Sequence, residues 1–315
     1  MAIKRAIRFG VAAHAVLDGG SWRTLARKVE DQGYGTLLLP DHTNPQLAPV
    51  PGLVAAAAAT TTLRVGTQVL CNDLRNPVIA AKEIATLDLL SEGRADWGMG
   101  AGWLPSDYEG SGVRFDPPGV RISRLKESIG VMKALFAGEP VDHDGEHYSV
   151  HGVSGTPKPV QRPHPPLLIG AAQRRMLRYA GTVADIVSIS PAWESRQIGP
   201  YPPSVTVEEG MDRQLGWISE GAASKGRSLD DLELSLVVIP ASVTDDPDRV
   251  LDQAAVANGV TTDEARRSAH ILVGSVEQIA DTILERRDRW GLSNWVIPVE
   301  AADAFAPVVA RISGT

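Results

Sequence analysis

The run Leu234-Ser-Leu-Val-Val-Ile239 is apolar at five of its six positions and does not alternate polar with apolar residues. Strands of a parallel sheet that is covered on both faces show this pattern, whereas a strand with one wet face alternates. Thr36-Leu-Leu-Leu39 and Asp185-Ile-Val-Ser-Ile189 have the same character. The sequence therefore predicts a parallel sheet buried between helices.

Eight such runs alternate with longer amphipathic stretches, which is typical of consecutive β/α units. No G-x-G-x-x-G follows the first run, where a doubly wound dinucleotide-binding sheet would need it. We therefore predict an α/β fold of the closed (β/α)8 TIM barrel type, in one domain over residues 1–315. The predicted strands are Ile7–Ala12, Thr36–Leu39, Leu63–Leu70, Arg94–Gly98, Leu167–Ile169, Ile186–Ser190, Leu232–Ile239 and Asn294–Pro298.

Two segments fit no simple β/α unit. Residues Glu139–Pro166 are rich in proline and polar residues, which predicts an excursion before the fifth strand with a small hairpin at His143–His151. Residues Pro191–Val207 follow the sixth strand, and we expect a lid-like or binding loop there, with disorder as the alternative.

Composition excludes several classes of function. The 315 residues carry a net charge of −7 without a basic stripe, which argues against nucleic-acid binding. The single cysteine, Cys71, excludes an intrachain disulfide and a cysteine-cluster zinc site, so a reducing compartment, the cytoplasm, is expected. No export signal is predicted, because His14 and Asp18 interrupt the apolar stretch that one would need. No membrane segment is predicted either, because the longest uncharged apolar run, Val54–Ala59, is far shorter than the roughly 20 residues that a span needs.

Hydrolase and metal motifs are absent from the sequence. There is no G-x-S-x-G nucleophile elbow and no Walker motif, so serine hydrolysis and nucleotide hydrolysis lose their main signatures. Asp142–His147 carries histidines and carboxylates at spacings that could catch a metal, but no H-E-x-x-H or similar motif supports a site. No metal is predicted.

Barrel enzymes place reactive groups where their strands end. Asp41-His42 follows the second predicted strand, where a histidine can exchange a proton near neutral pH, although Asp41 could also cap a turn with His42 only filling space. His14 follows the first strand and is a weaker candidate. Gly98-Met-Gly-Ala-Gly102 follows the fourth strand and permits close approach of a flat ring or an anion, with a structural tight turn as the alternative.

The fifth strand runs into small residues and then a helix start, in Leu167-Leu-Ile-Gly170-Ala-Ala-Gln-Arg-Arg175. Backbone N–H groups at such a helix start bind phosphate, and Arg174 or Arg175 could add positive charge. An ordinary βα turn is the alternative.

Several of these pieces, taken in order, resemble the bacterial luciferase-like flavin and deazaflavin oxidoreductases, and most closely their branch that uses coenzyme F420. The pieces are Phe9–Val11, Leu39–His42, Leu63–Leu70, Asn76-Pro77, Leu87–Arg94, Gly98–Gly102 and Leu168–Gly170. The resemblance implies that an 8-hydroxy-5-deazaflavin, F420, binds in the barrel mouth and exchanges hydride at its C5 carbon. It also implies a homodimer.

The resemblance assigns roles to particular residues. It implies a bulge in the third strand with a non-prolyl cis peptide at Gln68–Val69, behind the ring, and catalytic roles for Asp41 and His42. The residues implied to bind the cofactor are Asp41, Gln68, Val69, Cys71, Gly100, Ala101, Ser106, Gly170, Ala171, Ala172 and Gln173. The residues expected to face the substrate are His14, Trp103, Asp107 and Trp193.

One departure from the family pattern matters. Where the sugar-phosphate dehydrogenases of this branch carry a catalytic glutamate, this chain has Trp103, so we do not expect sugar-phosphate oxidation. The leading hypothesis is an F420-dependent oxidoreductase acting on a small organic substrate. The alternatives are an FMN-dependent monooxygenase, which would need a partner flavin reductase, and a non-catalytic flavin-binding barrel.

Overall fold

Strands and helices alternate along the chain, as the sequence predicts. The computed structural model describes residues 5–14, 18–138, 140–191 and 207–315. The strands, β1 to β13 in chain order, are Arg8–Ala12, Thr36–Leu39, Arg64–Thr67, Leu70–Cys71, Ala95–Gly100, Val141–Asp144, Ser149–Val153, Leu167–Ala171, Ile186–Ile189, Glu233–Val237, Ala241–Val243, Leu272–Gly274 and Leu292–Pro298. The α-helices, α1 to α11, are Gly19–Asp31, Pro49–Ala57, Pro77–Leu90, Pro105–Ser111, Pro118–Ala137, Arg174–Val183, Glu208–Ala223, Pro247–Asn258, Thr262–Arg267, Val276–Trp290 and Ala302–Ile312.

The chain divides into two compact units, and the prediction of one domain over residues 1–315 stays a prediction. The central unit comprises His14–Lys28 and Thr36–Ile169. The terminal unit comprises Met1–Ala13, Val29–Gly35 and Gly170–Thr315. Among the described residues, no helix is both long enough and apolar enough to cross a bilayer.

The central unit holds a parallel sheet in which β2 pairs with β3, and β3, β4 and β8 all pair with β5. Gly66 on β3 pairs with Asp96, and Leu70 on β4 pairs with Met99. Three residues, 67–69, therefore lie between these pairs on the β3–β4 side and only two, 97–98, on β5, which is a β-bulge. A non-prolyl cis peptide joins Gln68 and Val69 within this bulge. The bulge and the cis bond implied by the resemblance are both confirmed.

In the terminal unit, β13 pairs in parallel with β1 and with β10, and β10 pairs with β9. All the residues of these strands are buried or partly buried, as the unbroken apolar runs predict. Two short parallel strands, β11 and β12, form a separate pair that the sequence reasoning missed.

Local signals predicted several element ends correctly. Asn76, before Pro77, has the sequence pattern of a helix cap and accepts a hydrogen bond from Val78 N at the start of α3. Ser275 and Gln278 have the spacing of a capping box and form one at the start of α10. The excursion contains the expected hairpin, since β6 and β7 pair antiparallel. The predicted loop Pro191–Val207 lies almost entirely outside the described residues, and with it Trp193 and Tyr201.

Candidate active site

Asp41 ties the loop after β2 to the end of β4. Its buried carboxylate accepts a hydrogen bond from Cys71 N at 2.9 Å and forms an ion pair with Arg75. Burial raises the pKa of Asp41, and the Arg75 guanidinium and the Cys71 N–H group oppose that rise. Asp41 thus holds the backbone after β2 to the backbone at the end of β4.

His42, the next residue, is held by Asp107 of α4. The Nδ1 atom of His42 lies 2.7 Å from Oδ2 of Asp107, and the side chains are 16% and 5% exposed. The other Asp107 oxygen accepts from Thr43 N at 2.9 Å and from Thr43 Oγ1 at 3.1 Å. The Trp103 ring meets the imidazole edge to face. The Nε2 atom of His42 makes no hydrogen bond within the described residues, so Asp107 holds the ring through one nitrogen only.

The three glycines after the fourth predicted strand are explained by packing. A Cβ at Gly98 would overlap the Thr67 carbonyl oxygen, and one at Gly100 would lie 2.5 Å from Val69 Cγ2. A Cβ at Gly102 would overlap Tyr108 Oη, and Gly102 has φ +72°. The structural alternative thus accounts for these glycines, while Ala101 between them stays partly exposed.

The bulge leaves two residues partly exposed between buried neighbours. Gln68 and Val69 are partly exposed, whereas Thr67 and Leu70 on either side are fully buried. Gln68 N donates to the Leu39 carbonyl at 2.8 Å, which ties the bulge to the end of β2. The Gln68–Val69 peptide therefore lies at the same strand ends as Asp41.

The sequence did not predict the buried polar network that Cys71, Asp73, Tyr108 and Arg124 form. Cys71 Sγ lies 3.6 Å from Tyr108 Oη, which donates to Asp73 at 3.2 Å, and Arg124 pairs with Asp73 at 2.8 Å. Burial raises the pKa of the Cys71 thiol and of the Tyr108 phenol, so both groups are neutral near pH 7. The one signal in the sequence is Asp73, an acidic residue directly beyond a strand end.

The predicted phosphate loop, Gly170–Gln173, lies in the terminal unit and leads into α6. Ser190 N donates to the Ala171 carbonyl at 2.9 Å, and the buried Gln214 donates from Nε2 to the Ala172 carbonyl at 3.0 Å. No side chain caps the start of α6. Met176 N donates to the Gln173 carbonyl at 3.0 Å, which leaves the N–H groups of Arg174 and Arg175 as those that suit an anion.

The two arginines at this helix start differ. Arg174 lies 3.5 Å from Glu220, with both side chains about half exposed, whereas no ion pair involves Arg175 within the described part of the chain. Arg175 is therefore the better candidate to add positive charge.

Ser106 in the first turn of α4 and His14 after β1 are exposed. In the excursion, His143 Nε2 lies 2.9 Å from Glu127, which also accepts from Tyr148 N at 2.8 Å. Among the described residues there is no group of three or more His, Cys, Asp or Glu side chains placed to hold a metal.

Comparison with known sequences gives one family. A family model described as luciferase-like monooxygenase matches residues 7–269. An F420-dependent glucose-6-phosphate dehydrogenase of Beutenbergia cavernae is 30% identical over 279 residues, covering 85% of this chain and 76% of that protein. An uncharacterized protein of Mycobacterium tuberculosis is 36% identical over 170 residues, and this match spans 47% of the chain and only 59% of that relative.

Solved structures share the fold at low identity. The F420-dependent tetrahydromethanopterin reductase of Methanopyrus kandleri has a TM-score of 0.79 at 20% identity, covering 98% of this chain and 99% of that one. The oxygenating constituent of 3,6-diketocamphane monooxygenase from Pseudomonas putida, in complex with FMN, has a TM-score of 0.75 at 15% identity, covering 98% of each chain. The order of strands and helices together with this likeness confirms the predicted (β/α)8 barrel class.

Proposed function

Because the chain belongs to the luciferase-like monooxygenase family, we propose that it is an oxidoreductase that uses coenzyme F420 to transfer hydride to or from a small organic substrate. Relatives and solved structures named as F420-dependent support this choice of cofactor. The observation that carries the proposal is His42, whose Nδ1 is held by Asp107 at 2.7 Å while Nε2 is left open. A histidine so held suits proton transfer that accompanies hydride transfer.

The residues present fit a flat ring with a phosphate-bearing tail. In the central unit, Gln68, Val69 and Ala101 offer a partly exposed, mostly apolar edge where buried strands end. In the terminal unit, the uncapped start of α6 and the small side chains of Gly170 and Ala172 suit an anion. We propose that the first set contacts the ring of F420, and separately that the second set is an anion-binding site.

When bound, F420 supplies or accepts the hydride, and the protein supplies orientation and electrostatics. In the reducing direction, His42 Nε2 gives a proton to the substrate oxygen, and in the oxidising direction it takes that proton. Asp41 holds the backbone beneath His42 through Arg75 and Cys71 N, so its proposed part in catalysis is indirect. His14, Trp103 and Ser106 remain proposed contacts of substrate or cofactor.

The test is a pair of equilibrium titrations of the purified chain, one with F420 and one with FMN. The proposal expects the lower dissociation constant for F420. It then expects hydride exchange between F420 and at least one member of a panel of small alcohols, ketones and enones. Tight FMN binding with no affinity for F420 would contradict the proposal.

The FMN-dependent monooxygenase is the second candidate, because an FMN-bound structure shares this fold. It alone would need a flavin reductase as partner and molecular oxygen. The third candidate, a non-catalytic flavin-binding barrel, predicts that His42→Ala changes nothing beyond affinity. The leading proposal instead expects His42→Ala to bind F420 normally and to lose about 10²-fold or more in hydride-transfer rate.

We also propose a homodimer in the cytoplasm. The proposal rests on the family resemblance and on the single cysteine. Light scattering coupled to size exclusion chromatography tests the oligomeric state, for which one chain has a mass of 33.6 kDa.

A further inference from the structure

Three polar atoms lie within hydrogen-bond distance of the carboxylate of Asp107. They are His42 Nδ1 at 2.7 Å, Thr43 N at 2.9 Å and Thr43 Oγ1 at 3.1 Å. Asp107 is only 4% exposed, so little water competes for these contacts. An ionised carboxylate accepts hydrogen bonds and does not donate them, and both Thr43 groups donate to this one. The hydrogen between the two side chains therefore belongs to His42 Nδ1.

We propose that Asp107 is the positioning residue of His42: it fixes the Nδ1–H tautomer and the ring orientation, so that Nε2 is the atom that exchanges the proton. The chemical part of this inference rests on the proposed function, whereas the tautomer does not. A carboxylate that orients an imidazole in this way is a recurrent device of histidine catalysis.

The step balances for a carbonyl substrate. Reduced F420, when bound, would supply the hydride with two electrons by breaking its C5–H bond, and would be left oxidised. The new C–H bond forms at the carbonyl carbon, and the C=O π pair moves onto oxygen. The Nε2–H bond of the imidazolium breaks, its electron pair stays on Nε2, and its proton forms the O–H bond of the alcohol. His42 is left neutral with its hydrogen on Nδ1, and that N–H group donates a hydrogen bond to Asp107.

Thr43 makes Asp107→Asn a sharp test. The Thr43 N–H group can only donate, so an asparagine at 107 has to turn its carbonyl oxygen toward it. The amide NH2 then faces His42 Nδ1, which has to become the acceptor. The neutral imidazole is forced into the Nε2–H tautomer, and the variant also removes the anion that stabilises the imidazolium.

The first measurement is the ¹⁵N NMR tautomer state of His42 in the full chain, labelled with ¹⁵N-histidine. His42→Gln assigns its signals among the seven histidines. We expect Nδ1–H with an unprotonated Nε2 in the neutral wild-type ring, and the reverse in Asp107→Asn. A wild-type ring that carries its hydrogen on Nε2 overturns the inference, as does an Asp107→Asn ring unchanged from wild type.

A matched control separates positioning from the loss of a buried charge. Asp88 is fully buried in the same unit and accepts from Gln161 N at 2.9 Å and from Gln161 Nε2. Asp88→Asn should lower the unfolding temperature without changing the tautomer of His42. If Asp88→Asn changes that tautomer as much as Asp107→Asn does, the change comes from a general structural effect and the positioning role of Asp107 is wrong.

The second measurement is the hydride-transfer rate with F420 and the best substrate of the panel. Asp107→Asn should lower it by about 10²-fold or more with F420 affinity changed less than about 3-fold. An unaltered rate with a reversed tautomer removes Asp107 from the mechanism. If the wild type does not bind F420, the proposed function fails while the tautomer result still decides positioning. The wild-type spectrum stands even if Asp107→Asn does not fold.

Discussion

The indole of Trp103 meets the imidazole of His42 edge to face, with 6.1 Å between ring centroids and 86° between ring planes. An indole supplies apolar surface beside the histidine and no carboxylic acid. We therefore expect no F420 reduction when glucose 6-phosphate is added, although a relative of that name is 30% identical. Loss of the F420 absorbance measures the reaction, with the Beutenbergia cavernae enzyme as positive control. Sugar-dependent turnover above background would contradict the expectation.

Arg75→Met should destabilise the fold, because it leaves the buried Asp41 carboxylate without its cation. Removing one partner of a buried pair is costly, and since Arg75 is 21% exposed we expect about 2 kcal/mol of lost unfolding free energy. Urea unfolding followed by tryptophan fluorescence measures it. The control is Glu83→Gln, which removes a 3.8 Å contact of Arg75 with a 41% exposed carboxylate and should cost under about 0.5 kcal/mol. Equal losses for both variants would contradict the anchoring role of Asp41.

Gly98→Ala should prevent stable folding, because its Cβ would overlap the Thr67 carbonyl oxygen in the neighbouring strand. A backbone clash inside a sheet cannot relax by a side-chain rotation, so we expect a loss of about 3 kcal/mol or insoluble protein. Gly130→Ala is the matched control, because that glycine lies in α5 with open space around its missing Cβ. It should gain about 0.5–1 kcal/mol. Circular dichroism during heating distinguishes the two, and similar stability of both variants would be the contrary outcome.

Acid should destabilise the terminal unit through His270. This side chain is fully buried, its Nδ1 lies 2.8 Å from the Val237 carbonyl, and desolvation lowers its pKa from 6.5 to about 4. The unfolded chain binds the proton first, so stability present above pH 6.5 is lost as pH falls toward 4. The loss between pH 7 and pH 5 should be about 2 kcal/mol. His270→Gln should reduce that pH dependence, and an unchanged dependence would remove His270 as its source.

Ala172→Asp should weaken F420 binding, because it places a negative charge beside the proposed phosphate position at the start of α6. We expect the dissociation constant to rise about tenfold or more, which corresponds to about 1.4 kcal/mol. Ala172→Asn has nearly the same shape without the charge, so the difference between the two variants isolates electrostatics. Equal affinities would place the phosphate elsewhere.

The sequence predicted those features that local chemistry determines. Leu125, Ile129, Met132 and Phe136 recur at helical spacing and are all buried on α5. The strand cores were also correct, although the third predicted strand, Leu63–Leu70, is divided at its bulge into β3 and β4. These features depend on periodicity and caps, which a single sequence displays directly.

The candidate site was predicted only in part, since its side chains meet through tertiary structure. Asp41 and His42 were identified from their place after a strand, but their partners Arg75 and Asp107 are 34 and 65 residues away. The reason for Gly98 lies in its closeness to Thr67, which depends on the register of neighbouring strands. The pair β11–β12 was missed because each strand has only three residues.

Asp41 and His42 are consecutive, yet Asp41 is held by the Cys71 backbone and Arg75, whereas His42 is held by Asp107 through one ring nitrogen. Some positions around His42 should therefore tolerate substitution, whereas others should not. Trp103 meets the His42 ring edge to face, so we expect its replacement to change which molecules are accepted while the contact between His42 and Asp107 stays in place. A replacement of Asp41 would remove its contacts with Cys71 N and Arg75, and would therefore destabilise the fold. Selection for new substrates is therefore expected to act on position 103 and to spare position 41.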